Sequence, residues 1–167
     1  MKLFRMIVTL LALTAPALMF GASNNKLDGT WLITIAFDGT PPQGFPATFP
    51  VMHTFTPGGE VIEANSLPAS KGAGLGEWAA VAPWQFRYTI RFFVTNQTGA
   101  TIGYAQVRQW IQTDREYSTL KACRFIGDIF AFNGTQLLHS TGSCSGNRMV
   151  LDLEQPIGVP VPENGGN

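Results

Sequence analysis

The chain is poor in charge, in histidine and in cysteine. Only 13% of its 167 residues are Asp, Glu, Lys or Arg, and 11 basic side chains balance 11 acidic ones. Such a surface offers no electrostatic reason to bind nucleic acid or anionic lipid. The two histidines, His53 and His139, are far apart and build no zinc constellation, so no metal is expected. No Gly-x-Ser-x-Gly elbow, P-loop or dinucleotide fingerprint occurs, so no cofactor is expected either. "KGAGLGEW" contains Gly72, Gly74 and Gly76 but opens no helix after a strand, and it reads as a flexible loop. No window of a dozen residues sustains a helical period.

What is present begins at the N-terminus. "MKLFRMIVTLLALTAPALMFGAS" places Lys2 and Arg5 before an apolar run from Met6 to Phe20, followed by small residues. This is the layout of a secretory signal peptide, with cleavage after Ala17 or Ser23. An uncleaved anchor is the competing reading, but the run is shorter than the roughly 20 residues needed to span a bilayer, and Pro16 interrupts it. With residues 1–23 as leader, 9 basic and 11 acidic residues remain, and no other segment could cross a membrane. The expected domain is 24–154. "EQPIGVPVPENGGN" forms a Pro/Gly-rich tail over 155–167 that excludes a helix or central strand.

Between leader and tail the chain reads as strands. "WLITIAF" alternates, with Trp31, Ile33, Ile35 and Phe37 on one face. "VMHTFT" runs through the turn "PGG" into "EVIEA". "QFRYTIRFFVT" sets Phe86, Tyr88, Ile90, Phe92 and Val94 against Arg87, Thr89 and Arg91. "NQTG" and "TDREY" turn the chain before and after "ATIGYAQVRQWIQT". Eight to ten short-looped strands imply an all-β fold, an antiparallel barrel or sandwich; the long strands around residues 85–113 suit a single up-and-down barrel better. The sequons at Asn96 and Asn133 both fall in predicted turns and would accept glycans in a eukaryotic secretory pathway.

The cysteines can be placed by counting. Asn133-Gly134 is a preferred centre for a two-residue hairpin turn, in which Phe132 faces Thr135. Nine residues further out on either side stand Cys123 and Cys144, opposite each other if the register holds. An exported chain meets oxidising surroundings, so this pair is expected as a disulfide; two free buried thiols or a catalytic cysteine, which would need a nearby base, are the competing readings. A bulge at Gly127-Asp128 would disturb the count.

One strand has two readable faces. Tyr104, Gln106, Arg108, Trp110 and Gln112 alternate with Gly103, Ala105, Val107, Gln109 and Ile111. If the polar, aromatic face lines the lumen, then Tyr104, Gln106, Arg108 and Trp110, with Tyr88, are ligand contacts. If the small residues face inwards, the polar face is simply the wet exterior. Glu63 and Glu77 carry the same ambiguity, as acid–base groups in a cavity or as solvated carboxylates, and Glu63 is the weak catalytic candidate. Both histidines read as surface or hydrogen-bonded structural residues.

"LDGTW" resembles the Gly-x-Trp opening of the lipocalins and wider calycin barrels, with Gly29 and Trp31 matching. Arg148 in "SGNRMVLDL" and Thr113-Asp114 in "TDREY" extend the likeness. "FTPGGEV", "GLGEW" and "GNR" are similar to small secreted barrels related to allene oxide cyclase. The resemblance implies a calycin-like barrel whose Trp31 closes one end beneath a stacked Arg148 guanidinium. Three functions follow. The first is an exported, non-catalytic barrel holding a small hydrophobic molecule. The second is an allene-oxide-cyclase-like isomerase or cyclase acting on a reactive lipophile. The third is a secreted structural module with a filled core.

Overall fold

The computed structural model describes residues 26–42, 44–67 and 70–150. The expected signal peptide and C-terminal tail lie outside the described residues. Eight strands follow one another: β1 Gly29–Phe37, β2 Thr48–Phe55, β3 Glu60–Asn65, β4 Ser70–Ala82, β5 Gln85–Thr95, β6 Thr101–Thr113, β7 Leu120–Ala131 and β8 Gln136–Arg148. Each pairs antiparallel with the next, and β8 pairs back onto β1 to close an up-and-down barrel. Closure satisfies the backbone polar groups that a sheet edge would expose. Eight strands leave an interior just wide enough for side chains to fill, and the alternation of β1 and β5 supplies them. Trp31, Ile33, Ile35, Phe86, Tyr88, Ile90 and Val94 are all buried.

Two local expectations are revised. The glycine-rich stretch expected as a loop is the first half of β4, which slips register between Lys71 and Leu75, with Gly72 at φ +80°. Glycine serves close approach there: a Cβ on Gly76 would lie 1.8 Å from the Thr89 carbonyl oxygen. The β7–β8 turn is also not the two-residue type. Gly134 N–H donates to the Ala131 carbonyl, and Ala131 N–H donates to that of Thr135, so three residues bridge the strands. Phe130 then faces Gln136, one position off the counted register. Leu137 bulges out, Ile129 meets Leu138, and the counted register returns from there to Arg124 and Ser143. Cys123 and Cys144 therefore meet after all and form a disulfide, with Cα atoms 5.0 Å apart.

The barrel end formed by the β2–β3, β4–β5 and β6–β7 turns is packed solid. Leu27, Trp31, Phe55, Val61, Trp78, Phe86, Ile111 and Leu120 are buried in it. Trp31 donates its indole N–H to the Leu27 carbonyl at 3.0 Å. Arg148 is the cross-strand neighbour of Trp31, as the seam requires. Its guanidinium does not stack on the indole, because backbone acceptors draw it elsewhere. It donates to the carbonyls of Lys26 and Asp28 and covers Gly29. The cation–π contacts among the described residues are Lys26 over Tyr117 and Arg115 over Trp84. Gly29 is required twice over. Its φ is +114°, and a Cβ there would lie 3.0 Å from the Arg148 guanidinium.

Candidate functional site in the barrel lumen

The lumen holds a buried polar chain assembled from two cross-strand pairs. On β2 the inward set is Val51, His53 and Phe55; on β3 it is Val61 and Glu63, and the register sets His53 against Glu63. On the far wall, β5 and β6 set Tyr88 against Gln109. The pairs join across the barrel. Glu63 Oε2 lies 2.9 Å from His53 Nε2, and His53 Nδ1 lies 3.0 Å from the Tyr88 hydroxyl. That hydroxyl donates to Gln109 Oε1 at 2.5 Å. Asn65 donates its amide N–H to the other Glu63 oxygen at 2.6 Å. None of the four chain members is more than 4% exposed.

The proton inventory of this chain follows from donor counting. Burial, with the nearby Glu63 carboxylate adding to it, pushes the Tyr88 phenol well above its ordinary value of 10.0. Tyr88 therefore keeps its proton and spends it on Gln109. His53 Nδ1–H donates to the phenol oxygen, which leaves one proton for the contact between His53 Nε2 and Glu63. That proton makes either a carboxylic acid beside a neutral imidazole or a carboxylate beside an imidazolium.

Next to the chain is an apolar cavity of about 60 Å³, several times the ~10–15 Å³ that one water needs. Phe37, Phe45, Phe49, Phe92 and Phe125 furnish much of its wall, and Glu63, Gln109 and Ser140 are its polar groups. Ala105 and Gly127 line it too, and their small size makes the space. Pro42 and Phe45, from the β1–β2 connection, lie over the cavity. Phe37 holds the lid, meeting Phe45 edge-on at 5.9 Å and Phe125 at 5.7 Å.

Of the side chains singled out in the sequence, Glu63 and Tyr88 are inside. Tyr104, Gln106, Arg108 and Trp110 are on the outer wall, which corrects their placement as lumen contacts. The inner face of β6 is Gly103, Ala105, Val107, Gln109 and Ile111, since an interior cannot satisfy a run of Gln and Arg side chains. Outside, Tyr104 stacks on Phe130, and Gln106 accepts from Arg91 at 2.8 Å. Arg108 pairs with Asp128, and Trp110 is half-buried between its neighbours Arg87 and Arg124. Glu77 is exposed. His53 and Gln109 were missed as site residues. Counting outward from the Pro57-Gly58-Gly59 turn, across which Thr56 faces Glu60, sets His53 opposite Glu63.

Asp128 is itself nearly buried on the outer wall, where it accepts from His139 Nδ1 at 2.7 Å and from Gln136 at 2.9 Å. Among the described residues no three His, Cys, Asp or Glu side chains converge as metal ligands. No protein-family model matches the chain, and no curated protein matches it. Fold and site define the class by themselves: a closed eight-stranded antiparallel barrel, consistent with a calycin-like fold, with a buried Glu–His–Tyr–Gln chain beside an apolar cavity.

Proposed function

We propose that the chain is an exported calycin-like barrel that takes up a small hydrophobic molecule through the end covered by Phe45. The observation that carries this reading is the cavity itself: a mostly apolar wall, with five phenylalanines, and a few polar groups. A ligand with an apolar body and one polar end fits both parts, with the polar end towards Glu63 and Gln109. Export is supported by the disulfide and by the leader-like N-terminus. The closure of β8 onto β1 in an eight-stranded antiparallel barrel supports kinship with calycin barrels. A second reading, a lipophile isomerase or cyclase like allene oxide cyclase, is favoured by Glu63, a carboxylate on the wall of an apolar cavity.

The test is to extract small molecules that copurify with the protein and identify them by mass spectrometry, using Ala105→Phe as the control. Ala105 is buried and lines the cavity, so the larger ring fills the space. A lipophile recovered from the wild type and absent from a folded Ala105→Phe protein supports binding in the lumen. Equal recovery from both proteins overturns it.

A further inference from the structure

We infer that the lumen is a proton-transfer site, in which Glu63 takes the α-proton of a β,γ-unsaturated lipophilic ketone held in the apolar cavity and returns it to the γ-carbon. This rests on the binding reading above and assigns it a substrate class and a reaction.

The case begins with the cost of Glu63. A carboxylate taken into a barrel interior loses its hydration, a penalty of several kcal/mol even after relaxation. Leu or Val would fill the same inner position of β3 without that penalty. The chain instead surrounds Glu63 with donors, Asn65 on one oxygen and His53 on the other. Glu63 also lines the cavity, so a bound molecule lies against its side chain. A group that served only to pair with His53 would need no free space beside it.

The neighbours suit the charge changes of the reaction. When Glu63 acts as a base, the α C–H bond breaks, its electron pair passes into a dienolate, and the proton moves to a carboxylate oxygen. The same proton then bonds to the γ-carbon, the double bond shifts into conjugation, and Glu63 is a carboxylate again. No co-reactant is consumed. Gln109 lines the same cavity with its amide oxygen engaged by Tyr88, so its NH₂ is left as the donor for a developing enolate. His53 touches no cavity atom and is a positioning residue. It fixes the carboxylate and exchanges one proton with it, while Tyr88 holds the imidazole from the other side.

The experiment uses two probes scaled to a cavity of about 60 Å³, the β,γ-unsaturated allyl methyl ketone and its saturated analogue, methyl propyl ketone. Isomerisation and deuterium uptake are followed by NMR in heavy water, and binding of the saturated ketone is measured by calorimetry. The expected result is conversion to the conjugated ketone with the substrate's own α-hydrogen at the γ-carbon and little deuterium there. Glu63→Gln is isosteric and keeps the pocket filled; it should reduce the rate about 100-fold or more while the protein still takes up the saturated ketone. His53→Gln should lower kcat and leave KM unchanged, a split that a purely structural role would not produce. Saturated ketone bound without any conversion overturns the proton-transfer inference and leaves the binding reading standing. A rate unaffected by Glu63→Gln overturns it as well. Failure of the saturated ketone to bind overturns the binding reading, and the inference falls with it.

Discussion

The barrel carries two carboxylate–histidine pairs made in the same way, on opposite faces of its wall. Glu63 and His53 are cross-strand partners on β3 and β2; Asp128 and His139 are cross-strand partners on β7 and β8. Both carboxylates are nearly buried, at 6% and 5% side-chain exposure. The histidines differ: His53 is wholly buried, whereas the His139 side chain is 57% exposed. The outer carboxylate also has Arg108, a permanent cation, and Gln136. The inner one has Asn65 and an imidazole that is a cation only while it holds a proton. One pair of residue types thus yields a neutralised surface cluster outside and a proton-sharing pair inside. What separates them is the supply of fixed positive charge and of water.

Removing each histidine gives the widest separation of the two pairs. His53→Leu leaves Glu63 short of a partner in the interior and should lower stability by about 3–5 kcal/mol. His139→Leu leaves Asp128 with Arg108 and Gln136 and should cost no more than about 1 kcal/mol. Urea denaturation of both variants checks this, and equal losses would erase the distinction.

The disulfide should come next. Its sulfurs lie 3.8 and 3.6 Å from Gln109 Oε1, so it braces the inner chain as well as the β7–β8 hairpin. With a sequence separation of 21 residues, joint replacement of Cys123 and Cys144 by Ala should cost about 2–4 kcal/mol. Two free thiols titrated in the exported, unfolded protein would contradict the bond.

At the seam, where inner and outer walls meet the barrel end, Gly29→Ala meets both a positive φ and the Arg148 guanidinium. It should cost about 1–3 kcal/mol. Thermal unfolding measures it, and an unchanged midpoint would show that the seam yields. On the outer wall, Arg108→Ala removes the cation from Asp128 and should cost about 1 kcal/mol, read from the same denaturation curves. A larger loss would mean that Asp128 is as dependent on its partner as Glu63.

The smallest effect concerns pH and belongs to the outer wall alone. Hydrogen bonds from Arg124 and Thr141 hold the Asp38 carboxyl below its ordinary value of 3.8. Hydrogen bonds from the Ser118 side chain, with backbone N–H groups adding, do the same for Asp114. A depressed folded value means that the fold prefers the charged form. The stabilisation is therefore complete above the ordinary carboxylate range and fades as pH falls through the depressed values. Asp38→Asn should flatten the acid limb of the stability profile, whereas an unchanged limb would show that Asp38 adds nothing.

Much of this architecture is legible in the residues, because it rests on local rules. Alternation marks β1 and β5 and identifies Tyr88 as an inward residue, since its neighbours Phe86 and Ile90 are apolar. The glycine-rich half of β4 escapes the same reading, because glycine serves there to admit a neighbouring backbone. The cysteine count succeeds although the turn is not of the assumed type: the three-residue loop shifts the register by one, and the Leu137 bulge shifts it back. The His53–Glu63 pair was within reach of the same count. Its meaning was not, because a histidine between apolar neighbours reads equally well as a structural residue.

The sequence by itself determined an all-β chain, its turns, the inner faces of its alternating strands and the pairing of its two cysteines. These depend on period-two alternation and on hairpin geometry, which act over a few residues. Tertiary structure alone decided which face of β6 is inside, because neither face is plainly apolar and only closure of the barrel settles what can be satisfied there. It also decided that His53 reaches Tyr88. Those residues lie 35 positions apart on strands that do not pair, and they meet only because the curved wall brings its far side within a hydrogen bond. The cavity beside them is likewise a property of the closed barrel, left where Ala105 and Gly127 are too small to fill the space among the phenylalanines.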